Sequence, residues 1–398
     1  VNPAAEARRW LLHSLELCTA SVGAAGWDLP GVEGLRPLRP VKVYAEAALL
    51  SRCTGLVIDP TDSPLVAADE QLRQRIADAL DADKARLMVA VDPGTFVDQV
   101  FPFALLGTRD ERLRAVALDL CALVDGVDSG DEPSAFDRLE RRWLRAMAYD
   151  ESPAPTTICG SVLSRGADLL HGDLTAAYSF THAIAHATDL GTRRASYGRP
   201  LGALIDEADA LLGQALAAEN HDVAAELLWT WPMTGTPFSP SAAFVLDTLA
   251  ARHAEHGFLP GPEHDPAVHS RVGDDHLIQS SYHTGIVWGV LATGLLAGAS
   301  CMPADLSSYA DPMPVLHHAD GSWADRLRAL PVRERAACTP LVLGAELRLC
   351  VARRDLVGVR RVLAWAAAHG WSELPSVQQA SDLLARVVHA SQATGVGS

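Results

Sequence analysis

The sequence predicts an all-α protein built from stacked helical hairpins. Three observations carry that expectation. No run of period-two alternation with β-branched residues occurs in the 398 residues. Helix start and stop signals recur along the whole chain. Apolar helices rich in small residues alternate with more polar, amphipathic ones, the pattern of hairpins that bury a core only against their neighbours.

Asn2-Pro3 opens a first helix to about residue 19, with Trp10, Leu11, Leu15 and Cys18 on one stripe. Thr61-Asp-Ser-Pro64 opens the next, through Arg73 to Leu80. Residues 96–106 and 110–124 form a hairpin, and 133–148 is amphipathic, with Leu139, Trp143 and Met147 inward. Asp173 caps a helix over 173–190, and Gly191 is its C′ residue. Residues 201–218 follow; Asn220 caps 221–231, which Pro232 stops. Ser239-Pro240 opens a helix that Gly257 closes, and 276–297 is strongly apolar. Helices over 323–330, 340–352, 356–369 and 377–391 end the chain. Loops at 126–133 and 149–157 are richest in Pro, Gly and Asp. They suggest a soft boundary near residue 150, between an N-terminal part (1–150) and a C-terminal part (151–398) of one continuous fold.

Composition removes several function classes. With 33 Lys and Arg against 49 Asp and Glu, the formal charge is −16. Nucleic acid and anionic membranes both require clustered positive charge, so neither is the expected partner. The arginines at 353, 354, 360 and 361 read as solvated helix faces. Val1-Asn-Pro-Ala-Ala-Glu lacks the build of a signal peptide. The longest apolar run, 285–299, contains four glycines and falls short of the ~20 residues a bilayer needs. Seven cysteines are scattered and never spaced CxxC, which suggests free, mostly buried thiols in a reducing cytoplasm. Cys159, in "TTICGSV", reads as one of these inert thiols. No GxGxxG or GxxxxGK[ST] element follows a strand, so no nucleotide cofactor is expected, and no GxSxG elbow is present.

The chemistry-bearing stretch is "YSFTHAIAHATD", 178–189. On a helix, Thr175, Tyr178, His182, His186 and Asp189 fall within about 80° of one another, while the other faces are apolar and rich in alanine. A surface helix would be polar over a wide outer face; this one has a polar seam, which suits a view into a cavity. His182 and His186, at i and i+4, are about 6 Å apart at Cβ, a metal-chelating spacing. Residue 183 is Ala where a metalloprotease HExxH would have Glu. Asp189 lies about 10 Å along the helix axis from His182, so it is expected to bond to His186 and fix its tautomer. Further ligands must come from other helices; His283 and His221 are the candidates, with Glu226 behind them. His253 and His256 read as a solvated helix end. His264, His269 and His276 read as an exposed polar loop, and His317-His318 as a loop. Trp229, Trp231, Trp288 and Trp365 read as core.

The stretch "FSPSAAFVLDTLAARHAEHGFLPGP" resembles the repeat of α/α-toroid proteins of the terpenoid-cyclase and prenyltransferase type. A helix there ends in a short aromatic, glycine-containing turn, as at Gly257-Phe258-Leu259-Pro260. "SSYHTGIVWGVLATGLL" then resembles the inner helix that follows. The resemblance spans about residues 160–300 and implies an α/α toroid. The DxDD motif, the DDxxD clusters and the cysteine-bearing zinc sites of such proteins have no counterpart here, so their chemistry does not carry over. The "THxxxxxTDxG" and "YHT" elements also resemble those of an uncharacterised actinobacterial family, which brings no activity with it.

The expectation is therefore an enzyme of bacterial natural-product metabolism, acting on a small, partly apolar molecule by cyclisation, isomerisation or tailoring. In the acid–base version His186 moves a proton, Asp189 orients it, and Tyr178 or His182 holds the substrate. In the metal version His182, His186 and His283 bind zinc, copper or iron. The rivals are a helical-repeat scaffold without catalysis and a ligand-binding regulator.

Overall fold

A computed structural model of the protein describes residues 3–25, 39–125, 135–151, 160–172, 174–298 and 321–393. Among these residues the fold is helical, with 20 α-helices and no strand. Asn2, Pro133, the cap Asp173, the loop at 126–133, most of the loop at 149–157, Cys159, Cys301 and His317-His318 lie outside the described residues.

Six helices form the frame: α2 (Pro40–Val57), α5 (Phe96–Gly107), α7 (Ala135–Tyr149), α9 (Leu174–Ala187), α11 (His221–Leu227) and α15 (Asp274–Leu296). Each packs on the next in chain order, and α15 packs back on α2, so the six close a ring. Other helices lie against this ring. The helix α1 (Pro3–Ala24) runs along α15, and α3 (Ser63–Ala79) packs on α1 and α2. The helix α4 (Ala82–Val91) packs on α6 (Glu111–Val124), which backs α5; α10 (Leu201–Ala217) backs α11. Short α8 (Val162–Arg165), α12 (Thr230–Thr234) and α14 (Pro266–Val272) connect larger pieces, and α13 (Pro240–His256) packs on α10 and α11. The chain ends in α16 (Ser322–Ala329), α17 (Val332–Ala337), α18 (Thr339–Ala352), α19 (Leu356–Ala368) and α20 (Pro375–Ala393).

Local chemistry explains the helix ends. Asp110 caps α6 by accepting from the backbone N–H groups of Arg112 and Leu113, Asn220 caps α11 through Val223, and Ser239 caps α13 through Ala242. Gly257 closes α13 at φ 80°, the left-handed conformation that glycine adopts without steric cost. Close approach explains the small residues of α15. A Cβ at Gly289 would stand 2.6 Å from Ser14 Cβ, so only glycine lets α1 lie this near.

One apolar cluster runs from Ala7 to Ala345 and crosses residue 150. A second, smaller cluster joins Leu170 to α18, α19 and α20. The five described cysteines are free and buried. No helix is long and apolar enough, among the described residues, to cross a membrane.

Several expectations need correction. The stretch before residue 61, for which no element was expected, carries α2; Pro40 is the first-turn residue of that helix. The polar loop around residue 270 contains α14. His276 is 1% exposed, and its Nε2 accepts from the Asp265 N–H. His253 is also buried, packed against Trp10 and Trp288. The helix at 173–190 stops at Ala187.

Candidate active site

The ring helices line an open cavity of about 300 Å3. Its apolar wall is formed by Leu49, Val97, Phe101, Leu190, Trp229 and Ile286, and its polar floor by Glu46, Glu140, His182, His186, Glu226 and His283. Arg39, Lys42 and Asp98 also line it. Every ring helix supplies at least one wall or floor residue, so the closure of the ring is what assembles the site.

The floor contains two distinct electrostatic units. In the first, His283 sits among three carboxylates: Nδ1 is 3.0 Å from Glu46, and Nε2 is 3.3 Å from Asp222 and 3.6 Å from Glu226. Burial opposes its charge, but Asp222, Glu46 and Glu226 outweigh burial and hold the imidazole well above its usual range. Burial likewise opposes ionisation of Glu226, yet His182 and His283 draw its carboxyl down. Glu46 follows the same logic, with His283 and Lys42 overcoming burial. The lone pairs of this buried acid group find further donors. Tyr178 Oη donates to Asp222 (2.9 Å), Thr284 Oγ1 donates to Asp222 (3.0 Å) and Thr181 Oγ1 donates to Glu226 (2.9 Å).

In the second unit, His186 Nε2 stands 3.9 Å from Glu140. Burial pushes the His186 imidazole well below its usual range, and the neighbouring His182 adds to this. Burial pushes the Glu140 carboxyl up to about 7, with His182 opposing. A neutral imidazole therefore faces a carboxyl that titrates near neutrality. His182 lies between the units: its ring centroid is 6.1 Å from that of His186, and its Nε2 is 3.7 Å from Glu226. Burial opposes the charge on His182, but Glu226 and Glu140 raise its affinity for a proton.

His186 is held by a clamp. Trp143 stacks on its ring at 4.7 Å, and Trp143 Nε1 donates to Asp189 Oδ1 at 2.9 Å. Asp189 lies beyond the end of α9, in a left-handed turn with φ 48°, 57° and 86° at Asp189, Leu190 and Gly191. The Leu190 N–H reaches back to Ala185 O at 2.7 Å, which fixes that turn. Left-handed backbone is a real outlier for a leucine and costs about 1–3 kcal/mol, a form of strain that clusters at functional sites.

The seam expected from the sequence is assembled only in part. His182, His186 and His283 share the cavity as anticipated. Asp189 accepts from Trp143 and Thr192, so its hold on His186 runs through the stacked indole. Tyr178 is turned to Asp222, behind the cavity lining. Thr175 is exposed. His221 is not among the residues lining the cavity; its pKa falls to about 4 through burial, with Arg252 and His256 adding to this. Its neighbours Asp222 and Glu226 take the expected place in the site. Glu46, Glu140 and Asp222 escaped the sequence reading. Their available signals were a lone acid within the small-residue run of α2, an acid beside Trp143 on the amphipathic α7, and an Asp–Glu pair one turn apart on α11. Among the described residues no group of three or more His, Cys, Asp or Glu side chains is arranged to hold a metal ion.

No curated protein and no solved structure matches the chain. One family model does, over residues 4–293, which takes in α1 to all but the last residues of α15 and hence the closed ring. The chain belongs to the family described as DUF6895, a domain of unknown function.

Proposed function

We propose that the cavity is the active site of an enzyme of bacterial natural-product metabolism, which isomerises, cyclises or otherwise tailors a small, partly apolar molecule by proton transfer. The observation that carries this reading is the pairing of Glu140, with a pKa of about 7, and a neutral His186 across 3.9 Å in a cavity with an apolar wall on one side and further charged groups on the other. Environments that push neighbouring titratable groups apart are how one site holds an acid and a base at once. The separation exceeds a hydrogen bond, so neither group is consumed by the other, and a substrate atom seated beside the pair comes within proton-transfer reach of both. In this reading Glu140 gives or takes the proton and His186 serves the opposite step. His182, tied to Glu226, directs an N–H at a polar group of the substrate. The apolar wall holds the rest of the molecule and excludes water.

The test begins with a thermal-shift screen of a small-molecule library against the protein, followed by mass spectrometry of each binder. Binders should be converted by the natural chain, bound but unconverted by Glu140→Gln, and bound weakly by His186→Ala. Binders whose affinity and fate are the same in all three proteins would overturn the reading in favour of a scaffold.

A metal-assisted version rests on one observation, that His182, His186 and His283 line the same cavity. Zinc, copper or iron would there act on a substrate oxygen. Against it, Nε2 of His182 and Nε2 of His283 both face Glu226. Elemental analysis of the purified protein separates the two versions: a stoichiometric metal lost in His182→Ala selects the metal. For the architecture, the closed ring of six helices, taken in chain order and backed by others, supports an α/α toroid.

A further inference from the structure

The cavity does not end at Leu190 and Trp229. Both residues also line a second space of about 220 Å3 on their far side, bounded by Cys53, Leu56, Val57, Met233, Val290 and Ala297. This recess is chemically different from the cavity. It has no charged lining residue. Its hydroxyls are already satisfied locally: Thr192 Oγ1 donates to Asp189, and Thr293 Oγ1 to Val290 O. Burial lifts the Cys53 thiol to about 12, which makes it inert. The recess offers a ligand mainly apolar contact.

The partition between the two spaces is unusual. Leu190 is the middle of three consecutive left-handed residues, and it is buried. The same turn aims Asp189 at Trp143 and so sets His186. One strained turn thereby determines the position of the proposed proton-transfer group and the wall beside it.

We propose that the recess receives an unbranched apolar tail of the molecule whose polar end meets His186 and Glu140, and that Leu190 is the specificity residue controlling passage between the two spaces. This rests on the cavity being the active site and adds the substrate class: an amphipathic molecule with a polar head and an alkyl tail. A dry cavity of about 150 Å3 accepts benzene, so the recess suits a tail of roughly six to eight carbons. Leu56 and Ala297 stand at its exposed edge, where a longer tail emerges into solvent.

The experiment uses straight-chain primary alcohols from ethanol to decanol as probes, with binding followed by NMR of the His186 imidazole. Affinity should rise about fourfold per methylene, the value for burying one CH2, and should keep rising beyond the length that fills the cavity. Ala297→Trp places an indole in the mouth of the recess from an exposed position. It should leave the short alcohols unchanged and cut the longest by tenfold or more. Leu190→Gly suits the left-handed backbone and removes the Leu190 half of the partition, leaving Trp229. It should strengthen the longer alcohols several-fold relative to ethanol. Identical length dependence in Ala297→Trp and the natural chain would overturn the tail recess while leaving the active-site reading intact. Failure of every alcohol to perturb His186 would overturn both.

Discussion

Replacing Glu226 by Gln removes one charge and little else. The carboxylate is 1% exposed, and it faces Nε2 of His283 at 3.6 Å and Nε2 of His182 at 3.7 Å. Glutamine keeps the shape and still accepts the Thr181 hydroxyl. Breaking a buried ion pair costs about 3–5 kcal/mol when the remaining charge is left alone. Here His283 keeps Asp222 and Glu46, which lowers the figure, and His182, 37% exposed, is partly screened by solvent. The expected loss is about 2–3 kcal/mol. Its pH dependence follows from the shifts. Glu226 has a lowered pKa in the fold, so its contribution is present above the unfolded value of about 4.3 and is lost as pH falls through the folded value. His283 has a raised pKa, so its contribution is full below about 6.5 and is lost as pH rises through its folded value. The two overlap between about pH 4.3 and 6.5. Urea unfolding of both proteins at pH 5.5 should show the full loss, and the loss should shrink as pH rises through the folded value of His283. A loss of less than about 1 kcal/mol at pH 5.5 would refute the charge network.

Glu140→Gln should act in the opposite sense. A carboxyl raised to about 7 by burial opposes folding once pH exceeds about 4.3, and does so in full above 7. The variant should therefore be about 3–4 kcal/mol more stable at pH 8 and unchanged at pH 4, as read from melting temperatures; no gain at pH 8 would disprove the raised pKa. Asp189→Ala leaves the Trp143 N–H, buried with its ring, without its acceptor. It should cost about 1–3 kcal/mol and shift the His186 imidazole resonances, and an unchanged imidazole spectrum would rule out the clamp. At Gly344 a Cβ would stand 2.5 Å from Ala210 Cα, so Gly344→Ala should force α10 and α18 apart and cost about 1–3 kcal/mol in urea; a neutral substitution would mean that the contact is looser than described.

Local rules made much of the helical frame legible. The end of α13 was readable because a serine cap and a glycine stop act within a few residues of chain. The histidines of α9 were readable because polar groups at i and i+4 on an alanine-rich helix need a common explanation. Glu46 was missed because its helix was missed: the prolines at 37 and 40 suggest a loop, although Pro40 fits the first turn of a helix. The placing of Asp189 failed for another reason. Extending α9 by one turn puts its carboxylate beside His186, but the chain leaves the helix at Ala187 through a left-handed turn that no local signal except Gly191 announces. Which carboxylates meet which imidazoles is decided by the order in which α2, α7, α9, α11 and α15 follow one another around the ring, and one chain read in isolation does not reveal that order.

The buried acids account for the division of labour among the histidines. Asp222 and Glu226 are one turn apart on α11 and face His283 from the same side, so its proton is held by fixed charge and is unavailable for transfer. Glu226 also faces His182 and favours its charged form. That charge acts across the next gap: it helps keep His186 neutral, and it restrains Glu140 from rising further than about 7. The acidic helix thus touches neither member of the proposed proton-transfer pair, yet it adjusts both through His182. Without Glu46, Asp222 and Glu226 the three histidines would stand as like groups next to one another with little to tell them apart. Buried carboxylates supply the asymmetry, and with it one imidazole that stays charged and one that stays neutral at the same pH.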